Sequence, residues 1–180
     1  MTILLSGGNK NGKSGYGQDF AVKLAAGGKL YYVATMIPYD DEDRTRVARH
    51  IENRAGMGFE TIEAGRNIQN VFETADENGT FLIDSTTALL LNEMYPDSHF
   101  EEADSEAAAR CISGLLEIAS RAGNAIFVSD YIYSDAARYD EFTESYRSSL
   151  ASIDRALAQA CDTVIEVCAG NLIVHKGQLP

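Results

Sequence analysis

Gly7-Gly8-Asn9-Lys10-Asn11-Gly12-Lys13-Ser14 is the stretch that decides the fold. It meets the pattern G-x-x-x-x-G-K-[ST]. Glycines let the backbone curl so that successive N–H groups point at phosphate oxygens, and the helix that follows adds its positive end. Lys13 is expected to reach the β- and γ-phosphates of a nucleoside triphosphate, and Ser14 to hold Mg²⁺. The flanks suit this reading. Residues 2–6, Thr-Ile-Leu-Leu-Ser, are a short apolar run of the kind that forms a buried parallel strand. Residues 13–26 read as a helix with Phe20, Leu24 and small residues on one face, weakened in its first turns by Gly15 and Gly17.

Further along, the pattern alternates. Strands are predicted at residues 30–35, near 59–62, at 81–84 and at 125–129. Helices are predicted at 40–54, 86–94, 105–122 and 139–160, the last with Phe142, Tyr146, Leu150, Ile153 and Leu157 at helical spacing. A polar stretch follows residue 62, and residues 95–104, acidic and containing Pro96, read as a loop. Thr163–Val167 and Leu172–His175 flank Gly170-Asn171 as a terminal hairpin. Strand–helix alternation gives an α/β class: a P-loop, mostly parallel central sheet flanked by helices, closed by a C-terminal β-hairpin, in one domain over 1–180. Ligands of such sheets bind at the carboxyl ends of strands, where both the glycine loop and Asp84 lie.

Composition narrows the partners. A net charge of −12 argues against nucleic acid but not against a nucleotide, which a local cluster of amides and one lysine can hold. No run approaches the roughly 20 apolar residues of a membrane span, and the N-terminus lacks the basic-then-apolar order of a signal peptide. The expected compartment is the cytoplasm. Cys111, Cys161 and Cys168 lack metal-ligand spacing and read as buried, reduced thiols.

Two further features carry chemistry. Asp84, an acid ending an apolar strand, matches the Walker-B role of helping to hold Mg²⁺, with a strand-end cap as the plainer alternative. Arg46, His50 and Arg54 are spaced to share one helical face. Neighbouring cations disfavour the imidazolium form and keep an imidazole nucleophilic, and they could hold a triphosphate in line. The plainer alternative is a solvated histidine on a charged helix. Asp40 to Asp43 match the positive end of that helix, and could serve a metal only if their loop brings them to the phosphates.

Taken together, the P-loop, Tyr32-Val33-Ala34-Thr35, Asp40-Asp41-Glu42, Arg46-Val47-Ala48-Arg49-His50, Arg54, and Ile83-Asp84-Ser85-Thr86-Thr87 with Asn92 resemble a known family. It is that of the bifunctional adenosylcobinamide kinase/adenosylcobinamide-phosphate guanylyltransferases of cobalamin biosynthesis. Phe59, Thr61 and Glu63 stand where the family tends to have W-x-T-x-E. The resemblance implies phosphorylation of the aminopropanol hydroxyl of adenosylcobinamide with GTP or ATP and Mg²⁺. It then implies transfer of GMP from GTP through a guanylylated histidine, for which His50 is the match. It also implies nucleotide binding by Ala34, Thr35, Met36, Ile51, Glu52, Asn53, Arg54, Glu63 and Asp84, a small-molecule corrinoid acceptor, and a homotrimer.

The second half departs from the family's pattern. Ser129-Asp130 stands in place of Asn-Glu, and Ala151, Asp154 and Arg155 in place of a Gly and an Asn-Gln pair. Two alternatives stay open at this point. One is a P-loop small-molecule kinase with another acceptor. The other is a nucleotide-binding protein that has lost transfer activity.

Overall fold

The computed structural model describes residues 1–96, 103–134 and 136–180. The inner part of the loop expected at 95–104 lies outside the described residues, as do the side chains of Arg46 and Asn53. Seven strands form one sheet: β1 Thr2–Gly7, β2 Leu30–Ala34, β3 Glu60–Glu63, β4 Thr80–Asp84, β5 Asn124–Asp130, β6 Thr163–Cys168 and β7 Asn171–Lys176. Their order is β3-β2-β4-β5-β1-β6-β7. All pairings are parallel except β6 with β7. The class and the terminal hairpin are as the sequence predicts.

The central strands are apolar on both faces because helices cover both. Side chains alternate sides along a strand. Ile3, Leu5, Tyr32, Leu82, Ile126 and Val128 meet α1 (Lys13–Ala25) on one face. Leu4, Tyr31, Val33, Phe81, Ile83 and Phe127 belong to the larger core on the other. That core is closed by α3 (Thr86–Met94), α4 (Ala107–Arg121) and α5 (Glu141–Ala160). Gly17 lets α1 lie close on the sheet: a Cβ there would stand 2.9 Å from Leu82 Cδ1. The glycine that lowers helix propensity thus serves packing.

Some details differ from the sequence reading. The polar stretch after β3 contains a 3₁₀ helix, Ile68–Glu73, which buries Ile68 and Val71. The hairpin turn is Ala169-Gly170, both with positive φ, rather than Gly170-Asn171. A two-residue turn with positive φ at both centres matches the twist of the paired strands. Cys111 and Cys161 are buried, and burial pushes both thiols up to about 12. Cys168 is exposed, because it ends β6 beyond the covered face.

Helix α2, Asp41–Asn53, is the exception to the layered packing. Its described side chains are exposed or half-buried. Asp40 caps it, accepting from the Asp43 backbone N–H at 2.8 Å. Asp41 pairs with Arg44 at 3.1 Å, and Asp43 accepts from the Tyr39 N–H at 3.2 Å. These acids serve the helix start, the plainer of the two readings given to them.

Candidate functional site

Four segments leave the carboxyl edge of the sheet side by side. The P-loop follows β1, Asp130 ends β5, Asp84 ends β4, and Ala34-Thr35-Met36 ends β2 and leads to α2. Neighbouring strands are about 4.8 Å apart, so β2 stands about 14 Å from β1. Glu63 lies one strand further out, exposed at the end of β3 and level with Ala34.

Within the P-loop, Lys10 and Gly12 take positive φ, and Gly12 caps α1. Asn11 Nδ2 donates to the Val167 carbonyl of β6, which pins the loop to the strand beside β1. The Tyr16 hydroxyl donates to the Gly170 carbonyl at 2.7 Å, a second tie to the hairpin. Gly7 is required for space: a Cβ would stand 2.5 Å from Val167 O.

Lys13 is only 5% exposed, and its ammonium is fully occupied. It donates to Gly8 O at 2.7 Å, to Asn11 Oδ1 at 3.3 Å and to Asp130 Oδ1 at 2.6 Å. Asp130 therefore belongs to the site, although the sequence reading assigned it no role. Gly7 and Asp130 are level in the β1–β5 pairing, and the Tyr131 N–H donates to Gly7 O at 3.1 Å.

Asp84 is held by Tyr32 of the neighbouring strand, whose hydroxyl donates to Oδ2 at 2.8 Å. Burial, then the Asp84 charge, push the Tyr32 phenol well above its ordinary value, so it stays a donor. The Arg54 guanidinium lies 4.1 Å over the Tyr32 ring and donates to Thr61 Oγ1 at 3.1 Å. Arg54 is the C-cap of α2, with its side chain 8% exposed. It thus turns inward onto the sheet instead of extending a cationic face beside His50. His50 stands half-buried in the last turn of α2, with Ile51 and Glu52 exposed after it. Among the described residues no hydrogen bond fixes the His50 ring.

Thr35, fully buried, braces the Asp84 strand end. Its hydroxyl donates to Ser85 O at 2.8 Å and accepts from the Ser85 N–H at 2.7 Å. Asn92 on α3 donates to Thr35 O at 2.7 Å and to Gly65 O at 3.0 Å.

For Mg²⁺ the donor set fits. The ion binds through one or two protein oxygens with phosphates and water completing its shell, not through a protein cage. Ser14 beside Lys13 and the carboxylate of Asp84 are such oxygens. Among the described residues no cluster of three or more His, Cys, Asp or Glu side chains that could hold a metal ion exists.

The two segments that depart from the family pattern meet in space. Asp154 of α5 is buried and accepts from the Tyr133 hydroxyl at 2.7 Å. Burial pushes its carboxyl up, with the hydrogen bond from Tyr133 partly offsetting the effect. Asp154 Oδ1 and Ser129 Oγ are buried without a hydrogen bond among the described residues. Beside them lies a cavity of about 350 Å³ lined in part by Ser6, Tyr131, Tyr133, Glu166 and His175. Glu166 accepts from the Tyr131 hydroxyl at 3.0 Å and lies 2.9 Å from His175 Nε2.

A P-loop and a strand-end acid on the carboxyl edge of a mostly parallel sheet define a P-loop nucleoside-triphosphate fold. Solved structures agree on this class. The chain is similar to the flagellar accessory protein FlaH from Methanocaldococcus jannaschii, with TM-score 0.50, 15% identity, and 98% of this chain and 78% of that one covered. It is also similar to a KaiC-like protein from Pyrococcus horikoshii OT3, with TM-score 0.51, 17% identity and coverage of 98% and 79%. At such identities the likeness is one of fold. No curated protein matches the sequence. Residues 3–174 match the cobinamide kinase / cobinamide phosphate guanyltransferase family, and the chain belongs to that family. This carries transferase activity with a nucleotide, in cobalamin biosynthesis, and a corrinoid substrate. No helix among the described residues is long and apolar enough to cross a membrane.

Proposed function

We propose that the protein phosphorylates the aminopropanol hydroxyl of adenosylcobinamide and then joins GMP from GTP to the new phosphate. The observation that carries this reading is a complete P-loop, with its lysine buried among site residues, in a chain that matches the family over residues 3–174.

In the first half, the P-loop amides and Lys13 grip the β- and γ-phosphates and neutralise charge that builds as the γ-phosphoryl group moves. Ser14 and Asp84 would hold Mg²⁺, which supplies further charge neutralisation on the phosphate oxygens when bound. In the second half, His50 attacks the α-phosphorus of GTP and pyrophosphate leaves. The corrinoid phosphate then displaces the imidazole, giving adenosylcobinamide-GDP. A covalent phosphoramidate divides one phosphate-to-phosphate transfer into two displacements. Ala34, Thr35, Met36, Ile51, Glu52, Asn53, Arg54 and Glu63 would contact the nucleotide along the β2–β3 side. The exposure of the described α2 side chains supports a helix that meets the nucleotide on its outer face, and a homotrimer would cover it.

The meeting of Ser129, Tyr133 and Asp154 favours one second reading, a P-loop kinase with a different acceptor. Incubation with adenosylcobinamide, Mg²⁺ and GTP or ATP separates the two. Mass spectrometry should find adenosylcobinamide phosphate and then adenosylcobinamide-GDP with released pyrophosphate. Turnover of neither corrinoid species, with nucleotide bound, would leave the second reading in place of the first.

A further inference from the structure

We propose that Asp130 is the base that takes the proton from the acceptor hydroxyl during phosphoryl transfer, an inference that rests on the kinase half of the reading above. Asp130 is fixed from two sides. Its strand position is level with Gly7, and its N–H donates to Thr87 Oγ1 at the start of α3, at 3.1 Å. Its carboxylate meets the Lys13 ammonium at 2.6 Å. Lys13 is the side chain that a bound triphosphate recruits to its β- and γ-phosphates.

Geometry follows from that contact. An ammonium shared between a carboxylate and a phosphate holds their oxygens about 5 Å apart. That gap admits one hydroxyl oxygen, about 3 Å from the γ-phosphorus and within hydrogen-bond reach of the carboxylate. Asp84 is less suited to the task, since it ends the next strand over and its Oδ2 is taken by Tyr32.

The step balances simply. The hydroxyl oxygen bonds to the γ-phosphorus, the bond from that phosphorus to the β,γ-bridging oxygen breaks, and the nucleoside diphosphate departs. The hydroxyl proton passes to Asp130 and then to water. Lys13 from the P-loop and Asp154 and Tyr146 from α5 are the titratable groups that feel Asp130.

The test uses the full chain with ATP, Mg²⁺ and adenosylcobinamide. Asp130→Asn should lower the kinase kcat about 10²- to 10³-fold and flatten the acid limb of its pH profile. The KM for nucleotide should hold or fall, because Lys13 is released. Asp130→Glu, which keeps the carboxylate, should recover to within about tenfold of wild type. Supplied with adenosylcobinamide phosphate instead, whose phosphate needs no base, Asp130→Asn should lose far less in GMP transfer than in the kinase step. A kinase kcat unchanged in Asp130→Asn overturns the assignment, and so does an equal loss in both half-reactions. If the wild type phosphorylates no corrinoid, the kinase reading itself fails and the assignment falls with it.

Discussion

Tyr32 and Asp84, on neighbouring strands, are joined by a hydrogen bond of 2.8 Å from the phenol to carboxylate Oδ2. The donor is buried and stays protonated throughout the physiological range. One carboxylate oxygen is thereby oriented by protein. Removing the hydroxyl with Tyr32→Phe keeps the ring under Arg54 and frees Asp84 to rotate. A hydrogen bond to a charged group contributes about 1.5–3 kcal/mol. Isothermal titration should show Mg²⁺-nucleotide affinity falling about tenfold, with a smaller fall when Mg²⁺ is omitted. Equal effects with and without the ion would remove Asp84 from the metal role.

Gly7→Ala tests the P-loop by crowding. Its Cβ would meet the Val167 carbonyl, a backbone atom that cannot swing away. The loop must shift to relieve this, and the amides would no longer converge on one phosphate. Such overpacking costs about 1–3 kcal/mol. The variant should fold with a lowered Tm and lose the Tm rise that nucleotide gives the wild type. A retained rise would show that the loop holds its shape without the space at Gly7.

These sites differ in how far the sequence discloses them. The P-loop, the strand-end acid and the strand–helix alternation are legible because each is a local pattern of a few residues. The role of Asp130 is not, since it depends on β5 lying beside β1 and on a contact with a residue 117 positions away in the chain. Tyr32 reads only as a strand former for the same reason. Arg54 satisfies the helical spacing with His50, yet the helix stops one residue earlier and the planar guanidinium finds the Tyr32 ring. The 3₁₀ helix at Ile68–Glu73 offers only Ile68, Val71 and Phe72 as apolar residues within six positions, too short a signal for a helical period.

Asp154→Asn tests the buried carboxyl of α5. Burial raises its folded-state pKa above the ordinary carboxyl value, so the folded chain binds the proton more tightly than the unfolded one. The stability this gives is present at acid pH and is lost as pH rises through the raised folded value. Asparagine carries no charge and still accepts from Tyr133. The variant should be more stable than wild type near neutral pH, by about 1–3 kcal/mol, with the gap closing toward acid. Thermal melts from acid to neutral pH check this. A variant less stable at neutral pH would mean that Asp154 is ionised and paired.

The most direct test of the whole account is incubation of the protein with α-labelled GTP and Mg²⁺, followed by denaturation. The account predicts a covalent label that is acid-labile and base-stable, absent in His50→Ala, and discharged when adenosylcobinamide phosphate is added. A wild-type protein that binds GTP and takes no label would contradict it.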